Sequence, residues 1–139
     1  MKLDFDHLQR GSLTLERSLQ SLARAEPGSV DAEVFRNAVI KSFELTLETA
    51  GKLLRKVLKL YVASPRTIDD LVIKDVLRHA ALHGLLDAEA LARWFVYRDS
   101  RNDTAHHYGE QFAENTLTLI TDFQRDALAL YETLRRKHG

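Results

Sequence analysis

Between Ile40 and Tyr61 apolar residues recur at spacings of three and four without a miss: Ile40, Phe43, Leu47, Ala50, Leu54, Val57 and Tyr61. A helix brings residues at that period onto one side, whereas a strand would need alternation with period two. The seam therefore predicts a long helix packed along its whole length. A helix with so continuous an apolar stripe needs partner helices to cover it, so the chain is expected to be a bundle.

The remaining segments fit that expectation. Only two prolines and six glycines are present, and they sit with small polar residues between the apolar segments, as helix punctuation does. A first helix is predicted from about Leu3 to Ala25, with Phe5, Leu8, Leu15, Leu19 and Leu22 near one face, closed by Glu26-Pro27-Gly28-Ser29. Asp31 is the expected cap of the helix that follows. Within that helix Gly51 costs about 1 kcal/mol relative to Ala, which suits a place of close helix approach. Ser64-Pro65-Arg66 breaks the chain, and Thr67 with Asp70 resembles a capping box for a third helix running to His83. Gly84 ends it, and Asp87 starts a fourth carrying Leu91, Trp94, Phe95 and Tyr97 toward Arg101. After an interruption at Gly109, a last helix from about Gln111 aligns Ile120, Phe123, Ala127, Leu130 and Leu134. The expected fold is all-α, a single-domain antiparallel bundle of four to five helices over residues 1–139.

Composition excludes several function classes. Twenty Lys and Arg balance twenty Asp and Glu, so a polyanion would have to be met by a local patch and not by a global field. With no cysteine there is no disulfide, thiolate metal site or Cys nucleophile, which fits a reducing compartment. No run of about 18 apolar residues occurs, and Asp4 and Asp6 interrupt any signal-peptide core. The expectation is a cytoplasmic protein with no membrane partner.

Three groups of residues could carry chemistry. From Gly51 to Arg66 the chain holds Lys52, Arg55, Lys56, Lys59 and Arg66 and no acid, which reads either as a solvated face favourable to the helix dipole or as a phosphate-binding strip. His79 and His83 lie four apart on a helix, a spacing that suits a metal. However, Ala80, Ala81 and Leu82 between them offer no acid and no third ligand, so no metal site is expected. The third group, Arg101-Asn102-Asp103-Thr104-Ala105-His106-His107-Tyr108, packs a fixed cation, an amide, imidazoles and a phenol beside a helix break. It reads either as a capped turn or as a site. In an unbroken helix Arg101 and His106 point about 140° apart. They converge only if the helix breaks between them or a symmetric copy brings its own pair.

Arg101, His106 and Tyr108, with Asn102 after the arginine, fill the pattern Arg, four residues, His, one residue, Tyr. With Phe43-Glu44-Leu45-Thr46-Leu47-Glu48 followed by Lys52, and with Ser64-Pro65-Arg66, His83-Gly84-Leu85-Leu86-Asp87 and Trp94 in order, the chain resembles the HEPN proteins. Within them it is most similar to the HepT-like toxins, once described as nucleotidyltransferase substrate-binding proteins. The match spans about Phe35 to Glu110. One departure is Gly51, where such relatives often carry Trp before the lysine.

The resemblance implies a metal-independent endoribonuclease that works as a homodimer, with no cofactor and no DNA partner. RNA supplies its own nucleophile in the 2′-hydroxyl, so cleavage needs a base, an acid and charge stabilisation at phosphate. The resemblance gives His106 the proton transfer, Arg101 the phosphate and Asn102 an orienting role. His107, Arg98, Lys52, Arg55 and Lys56 become candidate RNA contacts, the substrate being tRNA or mRNA. It also implies a nucleotidyltransferase antitoxin that transfers AMP to Tyr108, adding charge and bulk two residues from the histidine. Two other readings compete: a non-enzymatic subunit presenting a nucleotide or substrate to a nucleotidyltransferase, and a purely structural bundle.

Overall fold

The computed structural model describes residues 3–104 and 114–139, which form six helices and no strand. They are α1 (Asp6–Arg24), α2 (Val30–Leu58), α3 (Arg66–Asp69), α4 (Ile73–Leu82), α5 (Ala88–Thr104) and α6 (Glu114–His138). Five are ten residues or longer and α3 is a single turn, which is the all-α bundle expected. None is long and apolar enough to cross a membrane.

The 29-residue α2 is the axis of the molecule, about 44 Å long at 1.5 Å per residue, and every other helix packs on it. Six members of the seam, from Ile40 to Val57, are buried as their period required. The seventh, Tyr61, lies beyond the helix end at Leu58, where its ring stacks on His83 at 4.6 Å and its hydroxyl meets His138 Nε2 at 2.7 Å. Against α2 lie Leu8 and Leu15 of α1 and the α6 row Ile120, Phe123, Ala127, Leu130 and Leu134, all at most 2% exposed. At the centre the Phe123 ring meets Phe43, Trp94 and Tyr97 edge to face, with centroids 4.9, 5.4 and 5.2 Å away. Such contacts favour the positive edge of one ring on the negative face of another.

Two glycines allow helices to approach. A Cβ on Gly51 would stand 3.0 Å from Ile73 Cδ1 of α4, so the close approach expected there is real. On Gly11 of α1, a Cβ would fall 2.7 Å from Thr46 Oγ1 of α2, a contact that sequence periodicity does not reveal. Gly84 ends α4 with φ +76°, a backbone angle that a side chain would strain.

Several helix boundaries differ from expectation, each for a local reason. The cap of α2 is Ser29, whose Oγ accepts from the Ala32 amide at 3.0 Å, while Asp31 lies in the first turn, where its charge suits the dipole. Asp87 does cap α5, accepting from Ala90 at 2.7 Å. The expected third helix is divided into α3 and α4. Thr67 Oγ1 turns back to donate to Ser64 O at 2.7 Å and so caps nothing ahead of it. Arg55 Nη1 donates to Ile68 O at 2.9 Å, taking a carbonyl that a continuing helix would have used. Val72, extended at ψ 156°, then starts α4.

Candidate functional site

On α5, Trp94, Arg98 and Arg101 are spaced four and three apart and so form one stripe; on α2, Glu48, Gly51, Lys52 and Arg55 form another. Where α2, α4 and α5 meet, these stripes enclose a cavity of about 160 Å³ lined by Glu48, Gly51, Lys52, Arg55, Trp94 and Arg98. Three of the basic residues singled out from the sequence, Lys52, Arg55 and Arg98, thus come together. Lys56 does not join them. It faces the larger groove between α1 and α2, with His7, Arg10 and the other side of Lys52.

The charges here are not equivalent. Arg55 is committed to the Ile68 carbonyl and Lys52 pairs with Glu48 at 3.0 Å. That bond, then the Lys52 charge, hold the Glu48 carboxyl below the usual carboxylate range against its own partial desolvation; Arg101 and then Lys41 add to the effect. The influence of Arg101 on Glu48 locates the guanidinium near the α2 stripe, and Arg101 is itself half-buried. Glu48 therefore belongs to the site, although by sequence it was only half of a helix-stabilising pair.

Asn102, Asp103 and Thr104 continue α5, so these three turn-forming residues do not break the helix after Arg101. Any convergence of Arg101 with His106 must come from beyond Thr104 or from a second copy. His106, His107 and Tyr108 lie outside the described residues. The helix that carries Arg101 is held firmly. Arg93 grips Asp126 of α6 through Nε at 2.8 Å and Nη2 at 3.0 Å, Tyr97 donates its hydroxyl to the same carboxylate, and Lys74 of α4 pairs with Asp99 at 2.9 Å. Burial, and then the bond to Asp126, push the Tyr97 phenol above its ordinary range, while the same carboxylate raises the Arg93 guanidinium. Among the described residues no group of three or more His, Asp or Glu is placed to hold a metal ion.

Comparison with known proteins gives one family. Residues 3–136 match the family described as nucleotidyltransferase substrate binding protein like. A protein of Haemophilus influenzae named "Probable ribonuclease HepT" is 28% identical over 142 residues, covering 99% of this chain and 95% of that one. A solved structure from the same organism, described as revealing the fold of a substrate binding domain of a nucleotidyltransferase, superposes with a TM-score of 0.83 at 26% identity. It covers 95% of this chain and 99% of its own.

Proposed function

The chain belongs to the nucleotidyltransferase substrate binding protein like family, in its HepT-like group, and from that premise we propose that it is a metal-independent endoribonuclease toxin acting as a homodimer. The observation that carries the reading is the gathering of Arg98 and Arg101 with Lys52 beside the end of α5, immediately ahead of the His106-His107-Tyr108 segment. A fixed guanidinium fork suits a phosphate, and the neighbouring cations supply the local patch that a neutral chain needs to hold RNA.

In the reaction, His106 takes the proton of the 2′-hydroxyl, whose oxygen attacks the adjacent phosphorus. The bond from phosphorus to the 5′-oxygen breaks, and that oxygen receives a proton from His106 of the partner subunit. The products are a 2′,3′-cyclic phosphate and a 5′-hydroxyl. Arg101 stabilises charge on the phosphoryl oxygens, Asn102 orients the histidine or the substrate, and a positioned imidazole contributes about 10²–10⁴ in rate. A nucleotidyltransferase antitoxin silences the site by placing AMP on Tyr108, whose added phosphodiester repels an incoming RNA phosphate.

The test is cleavage of total cellular RNA in EDTA by wild type and His106→Ala, with intact mass showing no adduct on Tyr108. Cleavage by wild type alone supports the nuclease. If neither protein cuts while both are folded and dimeric, the nuclease reading fails. The description of the solved relative as a nucleotidyltransferase's substrate binding domain favours a second reading, in which the chain presents a substrate and Arg101 grips phosphate without cutting.

A further inference from the structure

The cavity between α2, α4 and α5 has a composition that a phosphate does not need. Its charged rim of Glu48, Lys52, Arg55 and Arg98 opens onto Leu47, Leu54, Ile73 and Leu77, with Gly51 leaving part of the wall without a side chain. An anion would be served by the rim alone. An apolar interior below a polar rim suits a guest with a flat ring and a charged tail.

Size narrows the guest. The volume is about 160 Å³, and an apolar cavity near 150 Å³ is known to be filled by one benzene ring. A fused two-ring purine would not fit without displacing the walls. One wall also lacks a polar partner: Trp94 is 1% exposed and its indole Nε1, shielded from water, has no hydrogen-bond acceptor. Buried donors are seldom left unpaired, and a ring carbonyl brought beside the indole would supply what the protein does not.

Position gives the role. Arg98 at the rim precedes Arg101 by three residues, about 4.5 Å along α5, so a nucleotide whose base filled the cavity would hold its phosphate close to the arginine that serves cleavage. Recognition of RNA by splaying a single-stranded base into a protein pocket is a common strategy. We propose that this cavity is a pyrimidine pocket, which seats one single-ring base of the RNA next to the scissile phosphate and sets base preference at the cut. The inference rests on the nuclease reading for its role, though not for the binding itself. Glu48 at the rim accepts from the amino group of cytosine, which uracil lacks, so cytosine is the better guest.

The experiment uses the whole protein and its single tryptophan, Trp94, as the reporter. CMP, UMP, AMP, GMP, ribose 5-phosphate and inorganic phosphate are titrated while Trp94 fluorescence is excited at the red edge, where nucleotides do not absorb. The expected result is a saturable change with CMP and UMP at concentrations at least about tenfold lower than for the others. Cut sites mapped from cellular RNA are expected to carry a pyrimidine at one fixed position. Gly51→Leu, which fills the cavity, is expected to abolish the fluorescence response and erase the preference. Equal responses to purines, or the same response to ribose 5-phosphate or phosphate, overturn the pocket and leave an anion site. A folded Gly51→Leu protein with an unchanged pyrimidine response overturns it too. The wild-type titration needs no variant to fold, and it separates the two readings. A pyrimidine response without RNA cleavage keeps the pocket and removes the nuclease. Cleavage that depends on His106 but is indifferent to the base, with no pyrimidine response, does the reverse.

Discussion

Helices α5 and α6 lie side by side and use their residues differently. The apolar row of α6 from Ile120 to Leu134 is buried throughout, with its polar residues turned outward or into structural bonds. On α5 the apolar row stops. Trp94 and Tyr97 enter the core, and the next positions on that side are Arg98 and Arg101. Helix α6 is therefore a packing element, while α5 has one half anchored in the core and the other half extending as a rigid rod toward chemistry. A site held this way gains precision from the anchored half without placing charge in the interior.

The sharpest test of that division is truncation at the shared aromatic centre. Phe123→Ala removes a ring that touches Phe43, Trp94 and Tyr97, and the expected loss is about 3–5 kcal/mol in urea unfolding. Cleavage per folded molecule should be retained. Arg101→Ala should behave in the opposite way, with an unfolding midpoint near wild type and a fall in turnover of about 10²–10³, as when a donor to developing charge is removed. Equal loss of stability in both variants would show that α5 is not divided as described.

A smaller effect probes the other long contact, between α1 and α2. Gly11→Ala puts a methyl 2.7 Å from Thr46 Oγ1, an overpacking cost of about 1–3 kcal/mol, offset by roughly 1 kcal/mol of helix propensity. The net expectation is a loss of about 1 kcal/mol. Adding Thr46→Ala should relieve it, and thermal unfolding of the single and double variants measures the coupling.

What the sequence made legible follows from these same contacts. The buried rows of α2 and α6, the approach at Gly51, the stop at Gly84 and the cap at Asp87 are local signals, each written in spacing or in one residue's backbone preference. The division of α3 from α4 was not legible, because it depends on Arg55 reaching a carbonyl 13 residues away. Gly11 against Thr46 and the grip of Arg93 and Tyr97 on Asp126 are likewise long-range pairings, invisible to periodicity. For the site, the resemblance singled out Arg98, Lys52 and Arg55, and the fold brings them to one cavity while setting Lys56 apart. Glu48 and Trp94 become site residues only once α2 and α5 are side by side.

The subtlest expectation concerns the joint between α5 and α6. Tyr97→Phe removes one bond to Asp126 but leaves the two from Arg93, so near neutrality the loss should be about 1 kcal/mol or less. The difference between variant and wild type should then depend on pH in one direction only. Burial and Asp126 raise the Tyr97 phenol above its ordinary value of about 10, so the folded protein keeps a proton that the unfolded chain gives up. Below that range the contribution of the phenol is complete; above it the unfolded state binds fewer protons, and stability falls as pH rises. The other tyrosines titrate in both proteins and cancel in the comparison. Urea midpoints at about pH 8 and about pH 10.5 should therefore show wild type ahead at the lower value and its advantage shrinking at the higher. A gap that stayed constant would mean that the phenol loses its proton as readily folded as unfolded, and that Arg93 alone holds Asp126 between the two helices.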